Sequence, residues 1–426
     1  MSAPTALVVG AGVVGVCAAL QLQRAGVAVT LLDRGPPGEA CSFGNSGSFG
    51  VGLVAPQAMP GIAAKLPRLW LHPDEPLAIR LARIPRLVGW GRRFLATSAP
   101  AEVARITAAR HALLSRALDA WDDLAAEAGA AGLIKAAGML FVFARPDGPR
   151  RLDAMLALLR GAGVEVHAIP AEDARRMNPA LSDAVQAALF FPNNRHTVSP
   201  LALTQRLVAR FRALGGTLRQ AEVAATSPGP AVTLAGGERL AADHVVLALG
   251  AWTPSLVAPL GLGLPIAAER GYHVMTALPE GFAVPTTLSD RNVVLTPMQD
   301  GLRITGVSEF AAPEDPPRWS LADRLPRLAA PYLRGPVAQV ARHWVGPRPS
   351  TPDSLPVIGA VPGHPGLILA AGHGQAGLAM AAVTGRLVAD IALGRRPGID
   401  LAPYAPGRFA GPGALSPKEE RTWARA

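Results

Sequence analysis

Leu7-Val8-Val9-Gly10-Ala11-Gly12-Val13-Val14-Gly15, with Asp33 some way behind it, carries the most structural information in this chain. Leu7-Val8-Val9 is a short apolar run suited to a buried strand, and the glycines open a helix that extends to about Ala25 and stops at Gly26. A second apolar run, Val27 to Leu32, ends at Asp33. Each part has a mechanical reason. Gly10 permits a tight turn, Gly12 lets the backbone approach a pyrophosphate, and Gly15 lets the helix pack on the strand. The helix N-terminus then offers unpaired N–H groups and a positive dipole end to the phosphates. Asp33 is placed to accept hydrogen bonds from ribose hydroxyls and would repel a 2′-phosphate, which favours FAD or NAD over NADP. A glycine-rich turn without a ligand leaves Asp33 unexplained.

A second small-residue loop, Cys41-Ser42-Phe43-Gly44-Asn45-Ser46-Gly47-Ser48, follows at once. It suits close backbone approach to the far half of an extended dinucleotide, a feature more typical of FAD than of NAD; an ordinary surface turn is the competing reading. Near the C-terminus, Leu367 to Ala371 leads through Gly372-His373-Gly374-Gln375-Ala376-Gly377 into a helix reaching about Leu393. That is another helix N-terminus aimed at something electron-rich, such as the pyrimidine edge of a reduced flavin. His373 is a candidate for proton transfer or a satisfied loop histidine. Candidate cofactor contacts are therefore Gly10, Gly12, Val13, Val14, Gly15, Asp33, Arg34, Ser42, Asn45, Ser46, Gly47, Val223, Gly250, Trp252, Gly372, Gly374, Gln375, Ala376 and Gly377.

The remaining composition bounds the function. With 426 residues and 50% apolar content the chain supports two or three domains with real cores, which excludes disordered and fibrous classes. Two cysteines, Cys17 and Cys41, cannot build a disulfide framework or a Cys-rich metal site, so a reduced, cytoplasmic setting and no metal are expected. No apolar run is long enough to span a bilayer. Ala6 to Leu22 superficially resembles the apolar part of a signal peptide, but no Lys or Arg precedes it. The net charge of +10 admits nucleic acid, anionic membranes or acidic ligands as partners, although compositional bias alone could produce it. Nothing resembles a helix-turn-helix, a zinc site or an aromatic-basic platform, so nucleic acid is set aside. Seven basic residues between Pro60 and Leu95 face only Asp74 and Glu75, a local +5 interleaved with Trp70, Leu77, Leu87 and Trp90. Such a segment suits peripheral contact with the inner face of the cell membrane, or packing over a substrate domain with its Arg heads in solvent.

Between these landmarks the pattern alternates. A long helix is expected over about Ala101 to Gly129, with strands at Met139–Ala144, Val164–Ile169 and Asp243–Gly250, and a helix begins at Pro200. Val293–Thr296 and Leu302–Thr305, joined through Asp300-Gly301, read as an antiparallel hairpin. Nucleotide-type βα units interrupted by antiparallel segments imply an α/β fold with an α+β insert. A Rossmann-like cofactor domain (residues 1–59, 199–255 and 344–410) holds a discontinuous substrate domain (60–198 and 256–343) built on a mostly antiparallel sheet, with a tail at 411–426. Within Trp344-Val345-Gly346-Pro347-Arg348-Pro349, an arginine fixed between prolines suits a bidentate grip on a carboxylate, or pairs with an internal acid such as Asp353.

The order GAGVVG, CSFGNSGS, ERGYHV at Glu269 to Val274, WVGPRPSTPDSLPVIG and GHGQAG resembles the FAD-dependent D-amino-acid dehydrogenases, within the wider D-amino-acid oxidase and glycine oxidase superfamily. The resemblance covers nearly the whole chain. It implies FAD on the amino-terminal βαβ unit, non-covalent because no C-terminal cysteine is available to attach it. It implies Arg348 on the substrate carboxylate, Tyr272 over the substrate, and hydride transfer from Cα to flavin N5, with electrons passing to a quinone-type acceptor. The segment after the GNSG motif resembles members acting on D-amino acids or on cyclic ones such as D-proline and hydroxy-D-proline. A glycine or sarcosine oxidase using oxygen is the nearest alternative, and a flavin-binding scaffold or electron-relay subunit the alternative of another class. Oligomeric state is not legible.

Overall fold

The computed structural model describes residues 3–71, 77–145, 147–227 and 229–409; the expected tail at 411–426, with Asp74 and Glu75, lies outside them. The first apolar run forms the strand Thr5–Val9, the glycines start the helix Val13–Arg24, and the second run forms the strand Ala28–Asp33. Thr5–Val9 lies parallel between Ala28–Asp33 and His244–Leu247. Thr217–Gln220 and Leu367–Ala371 extend this sheet in parallel on either side, and Val357–Ala360 closes one edge antiparallel. Parallel neighbours need crossover connections, supplied by the helix Val13–Arg24 between the first two strands and by longer excursions between the others, and the central strands Thr5–Val9, His244–Leu247 and Leu367–Ala371 read as largely apolar runs because both faces are covered.

The helix Gly377–Ala392 crosses Val13–Arg24 closely enough that a Cβ at Gly385 would sit 2.7 Å from the Cys17 carbonyl oxygen. Two further helices, Pro100–Leu114 and Ala117–Glu127, stand where one long helix was expected, the chain turning at Ser115-Arg116. Both belong with the nucleotide-type layer, not with the substrate domain to which 60–198 was assigned. The Trp121 indole N–H donates to the Leu378 and Ala379 carbonyls at 3.0 and 3.2 Å, and Arg386 pairs with Asp119 and Asp123.

The second large sheet runs in the order Arg342–Ser350, Ala267–Thr276, Gly301–Phe310, Val293–Met298, Thr286–Leu288, Met139–Phe143, Ala187–Phe191, His167–Pro170, with Leu77–Ile79 paired on the far end of Gly301–Phe310. It is antiparallel except at Leu77–Ile79 and where Thr286–Leu288 meets Met139–Phe143. The hairpin expected around Asp300-Gly301 is present. Arg342–Ser350 crosses the boundary expected at residue 344: it is an edge strand of this sheet that carries the chain back toward the parallel one.

Candidate active site

The parallel sheet ends on a slot of about 390 Å³, bordered by Gly10, Gly12, Val13, Val14, Asp33, Arg34, Ser42, Asn45, Val223, Gly250, Trp252, His373, Gly374 and Gly377. Gly10 has φ +107°, and a Cβ there would lie 2.4 Å from the Ala248 carbonyl oxygen, so only glycine makes this turn without strain. Gly15 lies behind the slot, where a Cβ would be 1.8 Å from the Gly10 carbonyl oxygen. The first turn of Val13–Arg24 carries no acid, and the Val13 N–H is received by Ser42 Oγ at 2.9 Å. Asp33 ties the slot together: Oδ2 accepts from Ala11 N–H at 2.6 Å and Oδ1 from Gly35 N–H at 2.9 Å. Each oxygen keeps a further lone pair for a ribose hydroxyl. The Arg34 guanidinium lies 4.5 Å from the Trp252 ring centroid at the adenosine end. Glycine turn, helix N-terminus and acid thus fit an adenine dinucleotide.

Not every residue expected at the cofactor borders the slot. Gly47 turns with φ +75° close to the Thr197 carbonyl, and Gly372 (φ +71°) packs on Thr351; neither these two nor Ala376 borders the slot. Ser46 and Gln375 line instead a second cavity, of about 610 Å³, which meets the slot at Cys41, Asn45 and Gly374.

This second cavity lies between the antiparallel sheet and the arginine-rich segment. At its inner end Arg348 stands opposite Glu269 in register on neighbouring strands, with Nη1 3.4 Å from Glu269 Oε1 and 3.1 Å from Ser308 Oγ. Glu269 also accepts from Ser308 Oγ (2.6 Å), Ser350 Oγ (2.6 Å) and Gln375 Nε2 (3.0 Å). Burial opposes its ionisation. The Arg348 charge and these hydrogen bonds outweigh that and hold the carboxyl below its ordinary value. Arg348 lies flat over Gly271, where a Cβ would meet Nη2 at 2.2 Å. Gly271→Ala is therefore expected to fold normally but to push the guanidinium aside, raising KM roughly tenfold or more; a steady-state comparison with the parent protein checks it.

Of the other two expected catalytic groups, Tyr272 is placed elsewhere and His373 lies at the cofactor slot. Tyr272 is fully buried on the opposite face of the strand Ala267–Thr276 and borders neither cavity. Its hydroxyl donates to Glu309 Oε2 at 2.7 Å and accepts from Arg318 N–H at 3.1 Å, within a cluster that includes Arg80 and Arg270. The alternation of a strand that puts Glu269 toward the cavity puts Tyr272 away from it. Tyr272 thus does not lie over the substrate. His373 borders the slot with Nε2 3.0 Å from Thr384 Oγ1, and burial pulls its pKa down to about 3, so at ordinary pH the ring is neutral and holds a single proton on one of its two nitrogens. Burial raises the Cys41 thiol to about 11, in keeping with a wall and not a nucleophile.

Glu269 is the residue of the site that sequence reasoning passed over, although it begins the ERGYHV motif; the adjacent charges Glu269 and Arg270 within a strand-forming run were the available signal. Arg303 and His273 were missed too. Arg303 donates to the Phe43 and Asn45 carbonyls, and His273, stacked on Trp344, lies with Nδ1 3.3 Å from the Gly44 carbonyl. Together they clamp the Cys41–Ser48 loop between slot and cavity.

The DAO family, described as FAD dependent oxidoreductase, matches residues 5–391. The chain belongs to the DAO family of FAD-dependent oxidoreductases. This DAO-family protein is 35% identical to a D-amino-acid oxidase of Bradyrhizobium diazoefficiens, over 94% of this chain and 98% of that one. It is 34% identical to a D-amino acid dehydrogenase of Methylobacterium radiotolerans, over 95% and 99%. Among solved structures it shares its fold with glycine oxidase from Geobacillus kaustophilus (TM-score 0.72, 22% identity, 95% and 98% covered). The L-proline dehydrogenase from P. horikoshii is similar in the same way (TM-score 0.71, 20% identity, 96% and 98% covered). FAD is the dinucleotide that the slot of this DAO-family protein takes.

Proposed function

We propose that the chain oxidises a free D-amino acid to the imino acid, which water hydrolyses to the 2-oxo acid and ammonia. The supporting observation is the Arg348–Glu269 pair, a fixed cation beside a fixed anion where the cofactor slot opens into a cavity. A zwitterion presents the complementary charges. Arg348 grips the carboxylate, and Glu269 accepts from the amino group, so Cα is turned toward the Cys41, Asn45 and Gly374 junction. FAD, when bound, supplies the acceptor for the hydride that leaves Cα. The amine must be neutral by then, and Glu269, held as a carboxylate, steadies the group as its proton departs to water. The preference for the D enantiomer rests on the names of the curated relatives.

The two discontinuous units follow the two large sheets, the first for cofactor and the second for substrate. For the acceptor we favour a quinone at a membrane face. Among the described residues no helix is long and apolar enough to cross a membrane, so such contact is peripheral. Leu81 and Val88 stand 71% and 54% exposed in the same stretch of chain as the exposed Lys65 and Arg92, which supports it, although Arg80 and Arg83 are committed inward to Glu309 and Asp315. Failure to float with anionic liposomes at low salt would remove this contact from the proposal.

Anaerobic mixing of the flavoprotein with D- and L-amino acids, glycine and sarcosine tests the activity. Bleaching of the flavin by D-amino acids is expected. Bleaching by glycine or sarcosine alone, or by no amine at all, overturns the assignment. Admitting oxygen or a short-chain quinone afterwards identifies the acceptor by which one restores the yellow form faster.

A further inference from the structure

The cavity beyond the Arg348–Glu269 pair is far larger than the amino-acid head group requires, about 610 Å³, and its chemistry changes abruptly. Glu269 and Arg348 are the charged residues on its wall; the rest, among the described residues, is predominantly apolar. Val294 and Phe310 form part of the sheet side. Ile79, Leu87, Trp90 and Phe94 come from the arginine-rich segment, folded over as a roof. The roof is anchored: the Trp90 indole N–H donates to the Ser350 carbonyl at 3.1 Å and its ring stacks on Phe94 at 5.1 Å. Leu77–Ile79 pairs with Ser308–Phe310, so the segment joins the sheet at Ser308, whose Oγ lies 3.1 Å from Arg348 Nη1.

Resting on the deamination reading above, we propose that this cavity receives the substrate side chain and selects a large apolar one. A substrate held at Arg348 and Glu269 has one direction in which its side chain can extend without meeting the cofactor slot, and that direction is this cavity. Each apolar methylene buried there strengthens binding roughly fourfold. A charged side chain meets no counter-ion, because the two charges present are taken by the head group and by each other. Small substrates leave the cavity wet and gain nothing from it. Cyclic substrates such as D-proline, suggested by the segment after the GNSG motif, are therefore disfavoured, as are small ones such as D-alanine.

The test is anaerobic flavin reduction of the holoprotein by D-alanine, D-proline, D-norleucine, D-phenylalanine, D-lysine and D-glutamate. D-Norleucine and D-lysine have nearly the same length and differ by the terminal ammonium. The expected result is a second-order reduction constant on the order of 100-fold higher for D-norleucine than for D-lysine or D-alanine, with D-phenylalanine among the fast substrates. The variant Val294→Glu, which retains its bound flavin if folded, is expected to shrink the norleucine-to-lysine ratio at least tenfold. Equal rates across the series, as an apolar electron acceptor occupying the cavity would give, overturn the inference. So does an unchanged ratio in a flavin-replete Val294→Glu protein. If no D-amino acid reduces the flavin, the deamination reading has failed instead, and the two failures are thereby separate.

Discussion

Arg348→Ala is expected to lower kcat/KM by about a hundredfold to a thousandfold while leaving the flavin content unchanged. The guanidinium borders the substrate cavity but not the cofactor slot, whose neighbouring wall is made by Pro347 and Pro349. Removing it takes away a charge-assisted, bidentate contact with the substrate carboxylate, worth about 1.5–3 kcal/mol. It also leaves Glu269 buried without its cation, so that carboxyl titrates upward and no longer greets an ammonium group as a full anion. The two losses act on the same head group and reinforce each other. Arg348→Lys is expected to recover only part of the loss, since an ammonium cannot reproduce the planar fork resting over Gly271. Steady-state kinetics alongside the flavin-to-protein absorbance ratio decides the matter. Unchanged kinetics with full flavin would remove Arg348 from the site.

Gly12→Ala and Gly15→Ala, three residues apart in one motif, are expected to fail differently. Gly12 sits at φ −67°, open to any residue, and a Cβ there meets only Ser42 Oγ at 3.3 Å. The alanine variant should fold with stability within about 1 kcal/mol of the parent and lose most of its FAD, because the added methyl stands where the backbone must approach the pyrophosphate. Gly15→Ala places a Cβ 1.8 Å from the Gly10 carbonyl oxygen, a backbone atom that cannot swing aside. The helix must lift from the strand, at a cost of about 1–3 kcal/mol, with cofactor binding lost as a consequence. Denaturation of the apoproteins separates the two cases from each other, and flavin content separates both from the parent. A Gly12→Ala protein that keeps its full complement of FAD would show that the pyrophosphate approaches elsewhere.

How much of this was legible differs from element to element. The strand, glycine turn, helix and terminal acid of residues 5–33 were readable because every constraint on them is local: a turn, a helix start and a strand end lie within a few residues of one another. The same holds for the Asp300-Gly301 hairpin, whereas the internal acid that pairs with Arg348 is Glu269 on the neighbouring strand and not Asp353, which pairs with Arg408. Tyr272 and Glu269 show the opposite case. Nearly every residue of Ala267–Thr276 is buried, so the strand has no solvent face, and no alternation of hydrophobicity marks which parity meets the cavity. The helices Pro100–Leu114 and Ala117–Glu127 were assigned to the wrong layer because their partner, Gly377–Ala392, lies more than 250 residues along the chain.

The arginine-rich segment, which supplied half of the net charge, divides the two kinds of information most clearly. Its sequence by itself determined an amphipathic stretch, with apolar side chains at helical spacing and basic ones between them. What covers that apolar face depends on surfaces contributed by distant strands. Only the tertiary structure turned Ile79, Leu87, Trp90 and Phe94 over a cavity headed by Arg348 and Glu269 and sent Arg80 and Arg83 to Glu309 and Asp315. Periodicity reports that a face is apolar because it depends on neighbours in sequence; the identity of the partner depends on neighbours in space.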